Sequence, residues 1–268
     1  MTKPVVLCIL DGVGVARGGG RNAVAAAKMP FFRGLLAKYP NMELGASGES
    51  VGLPRGTMGN SEVGHITIGA GRVVDQFLLR FQKENLGRNR ALEKFTRDAP
   101  SGVVHFVGLA SDGKVHASLD DALAVARVVI RRGLKIVWHF IADGRDVDSK
   151  SALNFVRKIR RALGRDFIFG SLSGRYYAMD RNNNWDRTRE AFAAIFGTAG
   201  VGRVSMKHAL LRSGNMRAGL TIEQAIRQSY ARGITDEFIR PVRFDAPPIG
   251  PRDGVLFFNY RSDRARQF

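Results

Sequence analysis

Apolar and polar positions along the 268-residue chain fall into two textures. Val5 to Leu10 is a short continuous apolar run ending at Asp11-Gly12, the pattern of a buried, parallel strand entering a loop. Asn22 to Lys38 carries helical periodicity interrupted by Pro30, and Met42 to Arg72 is irregular and rich in Gly and Ser. From Val73 onward the pattern becomes regular. Helical periodicity predicts helices over 73–83, 119–131, 151–163, 186–196 and 222–232. Apolar runs at 103–109, 136–141, 167–169 and 255–259 predict buried strands. Strands alternating with helices predict an α/β protein with a largely parallel sheet. The stretch 198–219 reads either as a long loop or as a small extra helix.

Ligands of open α/β sheets gather beyond the carboxyl ends of the strands. Polar clusters follow the predicted strands at those ends: Asp11, then Ser111 to His116, Asp143 to Asp146, Ser173 to Arg175, and Asn259 to Arg264. The glycine-rich loop from Gly12 to Gly20 only loosely matches a dinucleotide fingerprint. Its third glycine falls one place late and no helical pattern starts there, which excludes a Rossmann reading.

Composition adds bounds. Charged residues at 25% and hydrophobic residues at 44% fit a folded chain of one large or two modest domains. The single cysteine, Cys8, allows no intrachain disulfide and fits cytoplasmic residence. Six apolar residues near the N-terminus are too few for a signal peptide, and no later stretch approaches a membrane span. A soluble protein with no membrane partner is expected. The 42 Lys+Arg against 24 Asp+Glu give a net charge of +18, which would attract nucleic acid, acidic membrane surfaces or phosphorylated metabolites. The densest basic groups, Arg131-Arg132 and 157–161, sit on helical patterns and read as solvated faces. No RNA-recognition, zinc-finger or KH signature is present, so nucleic acid is not an expected partner.

Several residues could carry chemistry. In Gly59-Asn60-Ser61-Glu62-Val63-Gly64-His65, Ser61 is either a nucleophile awaiting activation by a base or metal, or a helix-capping serine among turn glycines. His65, four residues on, makes no dyad at that spacing and reads as a loop hydrogen-bonding residue. Asp11 is either a metal ligand or a helix-cap or loop carboxylate. His116, Arg145, Arg175, Arg181, Arg261 and Arg264 stand at successive strand ends, where they would converge on a ligand bearing phosphate and carboxylate. Asp146 would orient Arg145 or take a hydroxyl. Structural ion pairs are the plainer alternative for this set. His105 and His139 lie inside apolar strands and read as core residues; His208 receives no role.

Taken together, Leu10-Asp11-Gly12, the run from Ala46 to Pro54 and Met58 to His65 resemble cofactor-independent phosphoglycerate mutase. The resemblance continues through Gly69 to Arg72, Ser111 to His116, Asp143 to Asp146, Ser173 to Arg181 and Phe257 to Gln267, in family order over nearly the whole chain. It implies interconversion of 3-phosphoglycerate and 2-phosphoglycerate on an alkaline-phosphatase-like domain that holds two manganese ions and is interrupted by a transferase domain. It implies that Ser61 takes the phosphoryl group and that Asp11 and Ser61 ligate one Mn²⁺. His116, Arg145, Asp146, Arg175, Arg181, Arg261 and Arg264 match the substrate-binding set. The implied domains are residues 1–75, the first part of the phosphatase-like domain, and 76–268, most of the transferase-like domain.

Family members are longer, and their other metal ligands lie in a C-terminal part beyond the sequence that ends at Phe268. The expectation is therefore a truncated mutase whose isolated chain is inactive and whose partner is a missing C-terminal half. The alternatives are a phosphoglycerate-binding remnant without catalysis and a basic nucleic-acid-binding protein built on a mutase relic. Residues 1–75, lacking the rest of their sheet, are expected to be loosely held, partner-stabilised or packed in a way foreign to the family.

Overall fold

The computed structural model describes residues 3–16, 22–197, 220–261 and 264–268. The stretch 198–219, His208, Ser262 and Asp263 lie outside the described residues. The chain divides into two compact units, Met1–Lys83 and Glu84–Phe268.

In the first unit the helical pattern broken at Pro30 forms two helices, α1 (Ala23–Ala26) and α2 (Pro30–Lys38). Asn22 caps α1 by accepting from the Ala25 N–H, and Pro30 opens α2, where its missing N–H costs nothing. Two further helices follow, α3 (Ser61–Ala70) and α4 (Phe77–Lys83), the first inside the stretch read as irregular. Val51, Leu53 and Val63 form a small buried cluster.

The expected strand over 5–10 does not form. No strand occurs among the described residues of 3–83, and Val5 is 98% exposed. A buried parallel strand exists only between partner strands and under covering helices, and none of the described residues pairs with this run. Phe31, Met42, Leu44 and Met58 are also strongly exposed, so this unit carries an unusual amount of uncovered apolar surface.

The second unit follows the sequence pattern closely. Helix α5 (Arg90–Arg97) precedes β1 (Val103–Ala110), α6 (Leu119–Arg131), β2 (Lys135–Ala142), α7 (Ala152–Leu163) and β3 (Phe167–Gly174). Then come the short α8 (Arg175–Ala178), α9 (Trp185–Phe196), α10 (Ile222–Ala231), β4 (Val242–Arg243) and β5 (Gly254–Phe257). The sheet order is β4-β3-β2-β1-β5, parallel except for the edge strand β4. Strands β1 and β2 are buried along almost their full length, as their unbroken apolar runs require. Phe106, Trp138 and Phe258 pack together on one face. The α/β expectation is met.

His105 and His139 are core residues, as expected, and they join a polar line across the opposite face. His105 Nε2 lies 3.3 Å from Asp253, its Nδ1 lies 2.9 Å from His139 Nε2, and His139 Nδ1 lies 2.9 Å from Ser171 Oγ. The basic run on α7 is only partly a solvated face. Lys158 lies 2.9 Å from both Asp112 and Asp120, and Arg160 pairs with Glu223 at 2.7 Å.

Candidate active site

Each unit holds one group of the predicted residues. In the first, Asn60 accepts from the Val63 N–H and so starts α3 at Ser61. The capping role falls to Asn60, which leaves the Ser61 hydroxyl available. Ser61 Oγ donates to Asp11 Oδ2 at 2.6 Å across fifty residues of sequence. His65, one turn along α3, brings Nδ1 to 3.2 Å from Ser61 Oγ and 2.7 Å from the Ser61 carbonyl. Asp11 and Ser61, expected at one metal, are thus adjacent, and an exposed hydroxyl at a helix N-terminus stands beside a carboxylate.

A metal position here would draw a carboxylate oxygen from Asp11 and an oxygen from Ser61. Two protein ligands do not close a site that normally takes three or more. Among the described residues no group of three or more His, Cys, Asp or Glu could hold an ion. The donor set of these residues alone therefore does not fit the pair of ions that the resemblance implies.

In the second unit the parallel strands β1, β2, β3 and β5 deliver their C-terminal loops to one edge of the sheet. Arg175, the first residue after β3, is 4% exposed. Its guanidinium donates to Asp143 Oδ1 at 2.6 Å and to Asp146 Oδ2 at 2.7 Å. His116 Nε2 lies 4.0 Å from the same Asp146 oxygen. The second oxygen of Asp143 accepts from the Ser111 hydroxyl, and its first also accepts from the Arg145 and Asp146 N–H groups. Burial alone would push the Asp143 carboxyl up. The hydrogen bonds from Ser111, the Asp146 N–H and Arg175 outweigh it and hold the group below the usual carboxylate range.

The remaining predicted residues lie on the segments that follow β2, α8 and β5. Arg145 is exposed, 3.7 Å from Glu237. Arg264 donates to the Met179 carbonyl at 3.2 Å, next to Asp180. Arg181 follows Asp180 and is exposed. Arg261 follows Tyr260, whose N–H donates to the His116 carbonyl at 2.7 Å. Asp146 and Arg175 are therefore joined directly, with His116 Nε2 4.0 Å from the Asp146 carboxylate.

Asp143 and Ser111 fall within the polar clusters named at the strand ends, but neither receives a role of its own there. The signal for Asp143 was available, because it follows its apolar run as Asp11 follows the first. Asp236 and Glu237, far along the chain, carried no signal.

Residues 79–268 match the family model described as BPG-independent PGAM N-terminus (iPGM_N). The chain is 41% identical to the 2,3-bisphosphoglycerate-independent phosphoglycerate mutase of Moorella thermoacetica, covering 100% of this chain and 52% of that protein. It is 42% identical to the enzyme of that name from Anaplasma marginale, covering 98% of this chain and 51% of the relative. A crystal structure of Leishmania mexicana phosphoglycerate mutase at low cobalt concentration superposes with a TM-score of 0.72 at 27% identity, over 97% of this chain and 49% of that one. The chain thus spans about half the length of the curated relatives it matches. The resemblance carried by the sequence blocks is borne out, and the chain belongs to the family of the BPG-independent phosphoglycerate mutase N-terminus.

Proposed function

We propose that this chain is the nucleophile-bearing and substrate-holding half of a cofactor-independent phosphoglycerate mutase that interconverts 3-phosphoglycerate and 2-phosphoglycerate in the cytoplasm. The observation that carries the reading is the 2.6 Å contact of Ser61 Oγ with Asp11 Oδ2 at the start of α3. It unites a candidate phosphoryl acceptor with the carboxylate expected beside it.

In this reading Ser61 Oγ attacks phosphorus and the bond from phosphorus to the substrate oxygen breaks. The hydroxyl proton of Ser61 passes to Asp11 and from Asp11 to the departing substrate oxygen, so that glycerate leaves as the free alcohol, and the return transfer runs the same proton path backwards. Glycerate then presents its other hydroxyl, which attacks the phosphoserine, and the bond to Ser61 Oγ breaks. Arg145, Arg175, Arg181, Arg261 and Arg264 hold the carboxylate and phosphate charge, and Asp146 and His116 orient the glycerate hydroxyls. Manganese is the proposed metal. Asp11 and Ser61 would hold it together with ligands beyond the half of the relatives that this chain matches. Within the substrate-holding part, taken as 76–268, the cluster around Arg175 is built from its own residues. That favours phosphoglycerate binding without turnover as the second reading.

A mutase assay from 3-phosphoglycerate without 2,3-bisphosphoglycerate, with and without Mn²⁺, tests both, alongside calorimetric binding and a Ser61→Ala control. The isolated chain is expected to bind 3-phosphoglycerate without turnover. Supplying the remaining half should give turnover that Ser61→Ala abolishes. No binding to the chain, or turnover that survives Ser61→Ala, sinks the proposal.

A further inference from the structure

The loop carrying Asp143, Arg145 and Asp146 runs from the end of β2 to the start of α7, and its own residues do not cap that helix. Ser151 occupies the capping position without a side-chain bond to the first turn. The N-terminal N–H groups need an acceptor, and a buried helix start without one is costly.

Asp236 supplies it from 85 positions away. One of its carboxylate oxygens accepts from the Ser151 and Ala152 N–H groups at 2.8 Å each, and the other accepts from the Tyr230 hydroxyl. Its own N–H donates to the Ser149 carbonyl at 3.0 Å. The side chain is completely buried. A carboxylate at the N-terminus of a 12-residue helix also meets the positive end of the helix dipole.

The same segment touches the loops themselves. A Cβ on Gly144 would come within 2.8 Å of the Asp236 Cβ, and one on Gly174 would overlap the Glu237 carbonyl. Both glycines flank the salt-bridged core of the site, one beside Asp143 and one beside Arg175. The Gly174 N–H donates to the Ile239 carbonyl at 2.7 Å. Glu237 reaches Arg145. Residues 236–239 thus contact the ends of β2 and β3 together.

We propose that Asp236, held by Tyr230, is a positioning residue: it locks the 143–152 loop to α7 and so fixes Arg145 and Asp146 relative to Arg175. Asp236 itself touches no ligand. The consequence for ligand affinity rests on the phosphoglycerate reading above; the consequence for the loop does not.

Amide hydrogen exchange on the full unliganded chain tests the lock in wild type, Asp236→Ala, Asp236→Asn and Tyr230→Phe. In Asp236→Ala the Arg145 and Asp146 amides, which bond to Asp143 and not to Asp236, should exchange roughly tenfold faster or more. Amides of β1 and β2 should stay within about twofold. Asn keeps an acceptor for both N–H groups and should restore most of the protection. If Asp236→Ala does not fold, Tyr230→Phe, which keeps the cap, should still speed the two amides by about threefold. Unchanged exchange at Arg145 and Asp146 in the folded variants overturns the proposal. In a second arm, 3-phosphoglycerate should bind about tenfold more weakly to Asp236→Ala and nearly normally to Asp236→Asn. A wild-type chain that takes no 3-phosphoglycerate sinks the functional reading and leaves exchange to decide on Asp236.

Discussion

Acidification from pH 7 to pH 5 should destabilise the second unit through His139. The hydrogen bonds of the line across the sheet assign every proton. Asp253 accepts from His105 Nε2, so His105 Nδ1 is bare and accepts from His139 Nε2. His139 Nδ1 is then bare and accepts from the Ser171 hydroxyl. All four groups are satisfied with both rings neutral, and a further proton on either ring breaks a bond. Burial, with His105 and Arg243 adding to it, lowers the His139 pKa from 6.5 to about 3.

Below pH 6.5 the unfolded chain takes up a proton on His139 that the folded chain refuses, so stability falls as pH drops through the unfolded value toward the folded one. At pH 5 the unfolded imidazole is favoured by protonation about 30-fold while the folded one is scarcely affected, a loss of about 2 kcal/mol. At pH 6 the loss is about 0.8 kcal/mol. His105, also lowered, mainly by burial, acts in the same direction.

Urea unfolding followed by fluorescence of buried Trp138 at pH 7, 6 and 5 measures this, in a window above the range where most carboxylates titrate. His139→Leu should be less stable at pH 7 and should lose less on acidification. A wild-type loss under about 0.5 kcal/mol, or a His139 imidazole titrating near pH 6.5 in the folded chain, refutes the reasoning.

Three further outcomes are expected. Arg175→Ala should cost about 3–5 kcal/mol in chemical denaturation, because the Asp143 side chain has no exposure and loses its cation, and it should also abolish 3-phosphoglycerate binding. Gly59→Ala should destabilise only the first unit, by about 1–3 kcal/mol, because the new Cβ would overlap the Ala46 carbonyl; limited proteolysis should accelerate near 42–60 and spare 84–197. Tyr260→Phe should cost about 1 kcal/mol in thermal melts through the lost bond to Asp121, while leaving its N–H bond to the His116 carbonyl and 3-phosphoglycerate affinity in place.

The second unit was legible because each local pattern agrees with its tertiary setting. The runs at 103–109 and 136–141 lie between neighbours on both sides, so an unbroken apolar sequence and a central strand coincide. Strand β4 was missed because two residues carry no period, and its place is set by antiparallel pairing with Ser171 and Leu172. The run at 5–10 shows the converse. Its composition is that of a central strand, but the state of a strand is decided by partners, and none is present among the described residues. The site divides in the same way. Arginines at strand ends could be named from the sequence, whereas the role of Asp236 depends on a contact 85 residues away that no local pattern encodes.

The geometry around Ser61 separates site formation from sheet formation. Gly12, at φ +82°, turns the chain immediately after Asp11, and the Val13 N–H closes that turn on the Leu10 carbonyl at 3.2 Å. Asn60 fixes the start of α3 without involving any strand. These local devices bring Asp11 to Ser61 although residues 5–10 join no sheet among the described residues. The apolar side chains of 5–10 are left exposed by the same arrangement. Covering them would stabilise the unit by roughly 25 cal/mol for each Å² of apolar surface removed from water. It need not move the pair. Burial of this run would therefore act first on the stability of the first unit.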